Sequence, residues 1–195
     1  MKTKWLSQGN SKLNGSSVPI VSWGLPAGKT CLFAGACRSM CYAQKRRYKF
    51  ASVVAKREEN LRLAKSKDFK ACIRQDLIGL PNGTYVRIHD SGDFFSEKYL
   101  RDWMGLMNEF PGINFYAYTK AVPLLNKVGF LPANFRAIFS LGGTSDQDVN
   151  ICSHRHARIF DTLEELLAAG YVDGSKDDGV AATSKEIRIG LVRKK

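Results

Sequence analysis

The sequence predicts an α/β protein: a partial (β/α) barrel or an open, mostly parallel sheet with crossover helices, in a single domain over residues 1–195. Three observations lead there. Strand-like and helix-like segments alternate from residue 84 onward, the rhythm of parallel strands joined by right-handed crossovers. About four to six strands can be counted, too few for a closed eight-stranded barrel. The chain has 195 residues, 44% apolar and 25% charged, the size and composition of one soluble domain with a real core.

Residues 1–30, rich in Ser, Gly and Asn, read as a loosely structured lead-in or an edge strand at "VPIVSW". Residues 31–50 form a cysteine loop running into a basic stretch. In "SVVAKREENLRLAKS", Val54, Leu61 and Ala64 fall near helical spacing among charged residues, which predicts an exposed amphipathic helix. "DFKACIRQDLIGL" continues helically, with Phe69, Cys72, Ile73 and Leu77 on one stripe, so Cys72 reads as core. "TYVRIHD" is a strand, and "SEKYLRDWMGLMNEF" is a helix capped by Ser96. "INFYAYTK" is a strand, "AVPLLNKVG" a short helix and "NFRAIFSLGG" a third strand. "DTLEELLAAG" is a helix with a capping box from Thr162 to Glu165 and Gly170 at its end, and "KEIRIGLV" is a last strand.

The formal net charge is +12, and it is unevenly spread. Between Arg38 and Asp76 stand 12 Lys and Arg against 4 Asp and Glu, whereas residues 145–180 carry 3 basic and 8 acidic residues. A basic lobe beginning at the cysteines suits a polyanion, of which nucleic acid is the commonest. Lys45, Arg46, Arg47 and Lys49 interleave with Tyr42, Tyr48 and Phe50, the composition of a single-strand or RNA groove and equally of core packing. No apolar run reaches the roughly 18 residues of a membrane span, and the N-terminus lacks a signal-peptide core, so no membrane partner and a cytoplasmic location are expected.

Cys31, Cys37 and Cys41 are spaced C-x5-C-x3-C. A loop can wrap three thiolates around one iron–sulfur centre. Zinc is the alternative, although the wide first gap fits the usual paired spacing poorly. A fourth ligand is available from Cys152, His154 or His156 in "NICSHRHARIF", where alternate histidines on a strand would share a face and Arg155 and Arg158 would suit phosphate. Three buried thiols without metal remain the third option.

The strand ends carry the other candidates. In parallel α/β folds ligands sit beyond the carboxyl ends of the strands, which here read "HDSGDFF", "YTK" and "SLGG". Alternation would send His89 and Ser91 to one face and Asp90 to the other, until the loop releases Asp93. His89, Asp90, Asp93 and Lys120 are the catalytic candidates, and Ser91, Gly92, Asp93, Gly142 and Gly143 the cofactor-binding ones. The competing structural roles are a core histidine, a turn-capping aspartate and a solvent-facing lysine.

The motif order "LPAGKTCLFAGACRSMCYA", "RIHDSGDFFSEKYLRDW", "FYAYTK", "NFRAIFSLGG" resembles the phage family called gene product 88, over roughly residues 22 to 150. More distantly, the "CYA" stub after the cysteines is similar to phage proteins related to radical S-adenosylmethionine enzymes, whose usual motif is C-x3-C-x2-C. That resemblance implies a [4Fe-4S] cluster on Cys31, Cys37 and Cys41 with one iron open. It also implies S-adenosylmethionine on the strand ends, with "SGD" standing in for Gly-Gly-Glu, in a phage protein of the host cytoplasm. The leading expectation is an iron–sulfur protein of this type acting on or bound to nucleic acid or nucleotides. The alternatives are a non-catalytic protein gripping nucleic acid or a host protein around a structural cluster or zinc, and a metal-dependent nuclease using His89, Asp90 and Asp93.

Overall fold

The computed structural model describes residues 3–8 and 11–193. One helical turn, α1 (Ser11–Asn14), precedes strand β1 (Ile20–Trp23). The cysteine segment follows as short 3-10 turns, and α2 (Ala51–Lys65) and α3 (Phe69–Ile78) lead into β2 (Tyr85–Ile88). Then come α4 (Glu97–Glu109), β3 (Asn114–Thr119), α5 (Val122–Val128) and β4 (Phe135–Ser140). The last part holds β5 (His156–Phe160), α6 (Leu163–Ala168), β6 (Val172–Asp173), α7 (Gly179–Thr183) and β7 (Arg188–Val192). All seven strands join one sheet in the order β1-β2-β3-β4-β5-β7-β6, and every pair is parallel. The sheet curls without closing, a half-barrel.

Both faces of the sheet are covered, as parallel sheets require. On one face Trp23, Val86, Ile88, Phe115 and Phe135 meet the helices that follow the cysteine loop. Trp23, Phe69, Tyr99 and Trp103 pack there in largely edge-on geometry with centroids 5.3 to 6.2 Å apart, contacts worth about 0.5–1.5 kcal/mol each beyond their buried area. On the other face Ile20, Tyr116, Ile138, Ala157 and Ile189 are covered by Leu13 and by Ala181 and Ala182 of α7. Here an ionic cluster is buried. Asp178 accepts from Arg87 at 2.8 Å and from the Tyr116 hydroxyl at 2.5 Å, and pairs with Lys12 at 2.7 Å.

The caps form where the sequence places them. The Ser96 hydroxyl accepts from the Tyr99 N–H, and Thr162 from the Glu165 N–H. The Glu165 carboxylate reaches back to the Asp161 N–H rather than to Thr162 itself, a capping box displaced by one residue. The lead-in is not loose. Asp76 accepts the N–H groups of Lys4, Trp5 and Leu6 at 3.0, 2.6 and 2.7 Å, and Ser7 bridges to Ser22 of β1, the edge strand. A buried carboxylate from a distant helix thus replaces the strand partner that the N-terminal residues lack.

Candidate functional site

The cysteine loop is folded down over the carboxyl ends of the strands. Ala34 bridges to Gly143, the Cys37 N–H donates to the Gly142 carbonyl at 3.3 Å, and the Thr144 N–H donates to the Phe33 carbonyl at 2.9 Å. Farther along, the Tyr42 and Tyr48 hydroxyls both donate to the Asp90 carbonyl, at 2.6 and 3.3 Å. The loop is therefore stitched to the ends of β2 and β4. Tyr42 leaves half its ring in solvent while its hydroxyl is buried on that carbonyl.

This fold-over brings the three thiols within electrostatic reach of one another. Burial pushes the Cys31 thiol up to about 11, a Gly28 N–H opposes it, and the charges of Asp93, Cys41 and Cys37 add to the rise. Cys41 is also raised, first by burial and then by Cys37, with the Ala43 and Gln44 N–H groups and Lys120 acting against it. Among the described residues, no group of three His, Cys, Asp or Glu side chains is arranged to hold a metal ion. In a cubane each thiolate binds a different iron, so its ligands stand farther apart than those of a single ion. The donors fit a cluster by chemistry: three half-buried thiols of one loop, with backbone N–H groups directed at two of them, the kind of contact that tunes cluster sulfurs.

Asp93 ties the strand ends together. Its carboxylate accepts from the Thr119 hydroxyl at 2.6 Å, the Lys120 N–H at 2.8 Å and the Phe94 N–H at 2.8 Å. Burial nevertheless raises it above the ordinary carboxylate range. The Lys120 ammonium bonds to the Ser140 hydroxyl at 2.6 Å instead of pointing to solvent. Asp93 and Lys120 thus flank the thiols from β2 and β3. A cleft of about 400 Å³ is lined by Lys29, Tyr48, Lys49, Arg57, Glu58 and Ser91.

Other predicted residues go elsewhere. His89 does not continue the strand alternation, because its φ is +67 and β2 ends at Ile88. Its ring is buried against Phe94 and Tyr99, with Nε2 3.0 Å from the Tyr99 hydroxyl and Nδ1 without a partner. Asp90 turns to Arg57 of α2 at 2.6 Å, and Asp93 to Thr119. The triad His89, Asp90, Asp93 therefore has no common focus. Ser91 donates to the Leu25 carbonyl at 2.8 Å. Gly92 has φ +81, and a Cβ there would lie 2.6 Å from both Leu25 and Thr30, so its glycine serves the turn and the close packing of the β1 loop. The Gly142 and Gly143 N–H groups are both held by Asp146, at 2.7 and 2.9 Å, and their close approach is to the cysteine loop.

Cys152 lies in an exposed turn before β5. His154 and His156 do not share a metal-binding face. His156 is fully buried, its two ring nitrogens 2.9 Å from the His154 carbonyl and 2.9 Å from the Tyr171 hydroxyl, while His154 accepts from the Asn150 N–H. Arg155 is occupied with the carbonyls of Val180, Ala181 and Ser184 at the end of α7. Arg158 lies over the Phe160 ring. Lys45, Arg46, Arg47 and Lys49 are all exposed, along the outer side of the tyrosines that pin the loop. Cys72 packs against the core.

Two contributors escape the sequence: Arg57, which neutralises Asp90, and Asn60, whose side chain donates to the Gly24 carbonyl at 2.9 Å. Their i, i+3 spacing on α2, beside Leu61 and Ala64, is the signal that marks them as inward-facing.

The family described as gene product 88 matches residues 2–195. The chain belongs to the gene product 88 family. It is similar to the gene 88 protein of Mycobacterium phage D29, with 32% identity over 112 residues. That match covers 51% of this chain and 47% of the relative, so it spans about half the relative's length. No solved structure matches. No helix among the described residues is long and apolar enough to cross a membrane.

In this family member His89 also sets a pH dependence. Burial first and the Arg57 charge second push its imidazole down to about 3. An unfolded histidine takes up its proton near pH 6.5, and the folded one does not until about pH 3, so stability falls as pH drops through that window. Unfolding free energies from urea titrations between pH 6.5 and 5, above the range of ordinary carboxylates, should decline with a slope of up to about 1.4 kcal/mol per pH unit. His89→Gln should flatten that decline. An equal slope in wild type and variant would show that His89 does not cause it.

Proposed function

We propose that the chain holds an iron–sulfur cluster, [4Fe-4S] in type, on Cys31, Cys37 and Cys41, and acts through it on nucleic acid or a nucleotide. The observation that carries this reading is the convergence of three thiols from one loop on the carboxyl ends of β2, β3 and β4, between Asp93 and Lys120. The position is where parallel α/β folds place their ligands. A bound cluster of this kind would supply one-electron chemistry.

The remaining roles follow from what the residues touch. Three of the roughly four acceptor positions of the Asp93 carboxylate are filled, which leaves one for the amine of S-adenosylmethionine on the side of Cys31. Lys120 brings positive charge to Cys41 and to Asp93. The cleft offers room for a nucleotide-sized ligand; of the cations in its walls Lys29 is paired with Glu58 and Arg57 with Asp90, while Lys49 is exposed. Lys49 of that wall and the exposed Lys45, Arg46 and Arg47 just before it in the chain would lead a polyanion to the same mouth.

The test is preparation without oxygen, followed by iron, sulfide and zinc content per chain and the visible absorption spectrum. About four irons and four sulfides are expected. Addition of S-adenosylmethionine should then change the spectrum, with cleavage followed by chromatography. About one zinc per chain and no iron would replace the cluster by a structural zinc site. A cluster indifferent to S-adenosylmethionine would leave a binding protein.

A further inference from the structure

The sheet is not continuous between β4 and β5. These strands pair only at Phe139 with His156 and Ser140 with Ala157, so among the described residues no strand lies beside the β5-facing edge of β4 from Phe135 to Ile138. The Phe139 N–H donates to the Arg155 carbonyl at 2.9 Å. By the two-residue repeat of a strand, the Ala137 N–H points to the same side, where the partner strand is missing. Such a free edge is a template for another extended chain unless something blocks it.

A groove of about 470 Å³ lies along this gap, with Phe135 and Phe139 in its apolar wall and Arg136, His154, Arg155 and Lys185 around it. Arg136 and Arg155 both donate to the Ser184 carbonyl, at 2.9 and 2.7 Å, which holds two guanidinium groups at the gap. Glu186 is the carboxylate acting on Arg155, so cations outnumber it.

We infer that the gap between β4 and β5 is a docking site for an extended acidic peptide of a partner protein, which adds a short strand to the free edge of β4. Backbone hydrogen bonds to β4 supply the register. Acidic side chains on one side meet Arg136 and Lys185, with the Arg155 charge held behind them on the Ser184 carbonyl, and apolar ones on the other meet the phenylalanine wall. This inference is independent of the thiols, because none of the groove residues belongs to the cysteine loop.

The test uses the full chain and three fluorescein-labelled peptides. One alternates Glu and Val, one alternates Lys and Val, and the third is the acidic peptide with alternate amides N-methylated. Fluorescence anisotropy should show the acidic peptide binding roughly tenfold or more tightly than the lysine peptide. N-methylation should abolish binding, and the Ala137 amide resonance should shift on titration. The double variant Arg136→Glu, Lys185→Glu should weaken the acidic peptide roughly tenfold. Should that variant not fold, the N-methylated peptide against wild type decides alone. Equal binding of acidic and lysine peptides, undiminished binding after N-methylation, or no binding of any peptide overturns the inference. So does displacement of the acidic peptide by an oligothymidylate at comparable concentration, which would make the groove a nucleic-acid surface.

Discussion

Cys37→Ala protein reconstituted without oxygen will hold no more iron and sulfide than background, while Cys152→Ala will load as fully as wild type. The same loss is expected for Cys31→Ala and Cys41→Ala, because a cluster held by three thiolates has no spare ligand in the loop. Cys72→Ala is the internal control, since Cys72 packs against the core on α3. The contrast with Cys152 follows from its exposed turn before β5, outside the loop whose three thiols act on one another. Iron content by absorption and chemical analysis checks the prediction, and urea midpoints of the metal-free variants exclude a simple folding defect. If Cys37→Ala kept its iron, the proposed site would be wrong. If Cys152→Ala lost it, the fourth ligand would come from that turn and the cluster would be closed.

Asp178→Ala will be among the most destabilising single changes in the protein, by roughly 3–5 kcal/mol, the cost of leaving a buried charge without its partner. The carboxylate is fully buried and receives Lys12, Arg87 and the Tyr116 hydroxyl. Removing it strands the Arg87 guanidinium, whose side chain is 10% exposed, between β-strands. Burial alone would raise the Asp178 carboxyl, but Arg87 and then Lys12 outweigh it and hold it at about 2. Its folded value is thus below its unfolded one. The stabilisation is present above pH 4 and is lost as pH falls toward 2. Urea unfolding at pH 7 measures the deficit, and the gap between wild type and variant should narrow toward pH 2. The exposed pair Lys98–Asp102 gives the comparison: breaking it should cost less than about 1 kcal/mol. Equal losses at the two sites would show that burial does not govern the effect.

Much of the fold was legible because its signals are local. Ser96 and Thr162 are cap residues with a helix immediately after them, and both accept the expected N–H. The apolar strands Asn114–Thr119 and Phe135–Ser140 alternate with helices of ordinary length. By contrast β6, at two residues, and α7, at five, are too short to show a period. The lead-in looked loose because its partner, Asp76, lies about seventy residues away. His89 was misplaced on a strand face because a positive φ at a histidine leaves no mark in the pattern around it.

The sequence by itself determined the parallel α/β architecture, the clustering of three thiols before a basic stretch, and which polar residues stand at the strand ends. Spacing, caps and composition are read along the chain, so these needed no knowledge of the fold. Only the tertiary structure decided which polar residues meet. It drew Asp93 to Thr119 and Lys120, Asp90 to Arg57, Gly142 and Gly143 to Asp146, and the thiols into one another's field. It also left β4 partly without a neighbour. The physical reason is that a buried charge must find its partner wherever the packing brings one, and that partner is set by the curl of the sheet rather than by distance along the chain.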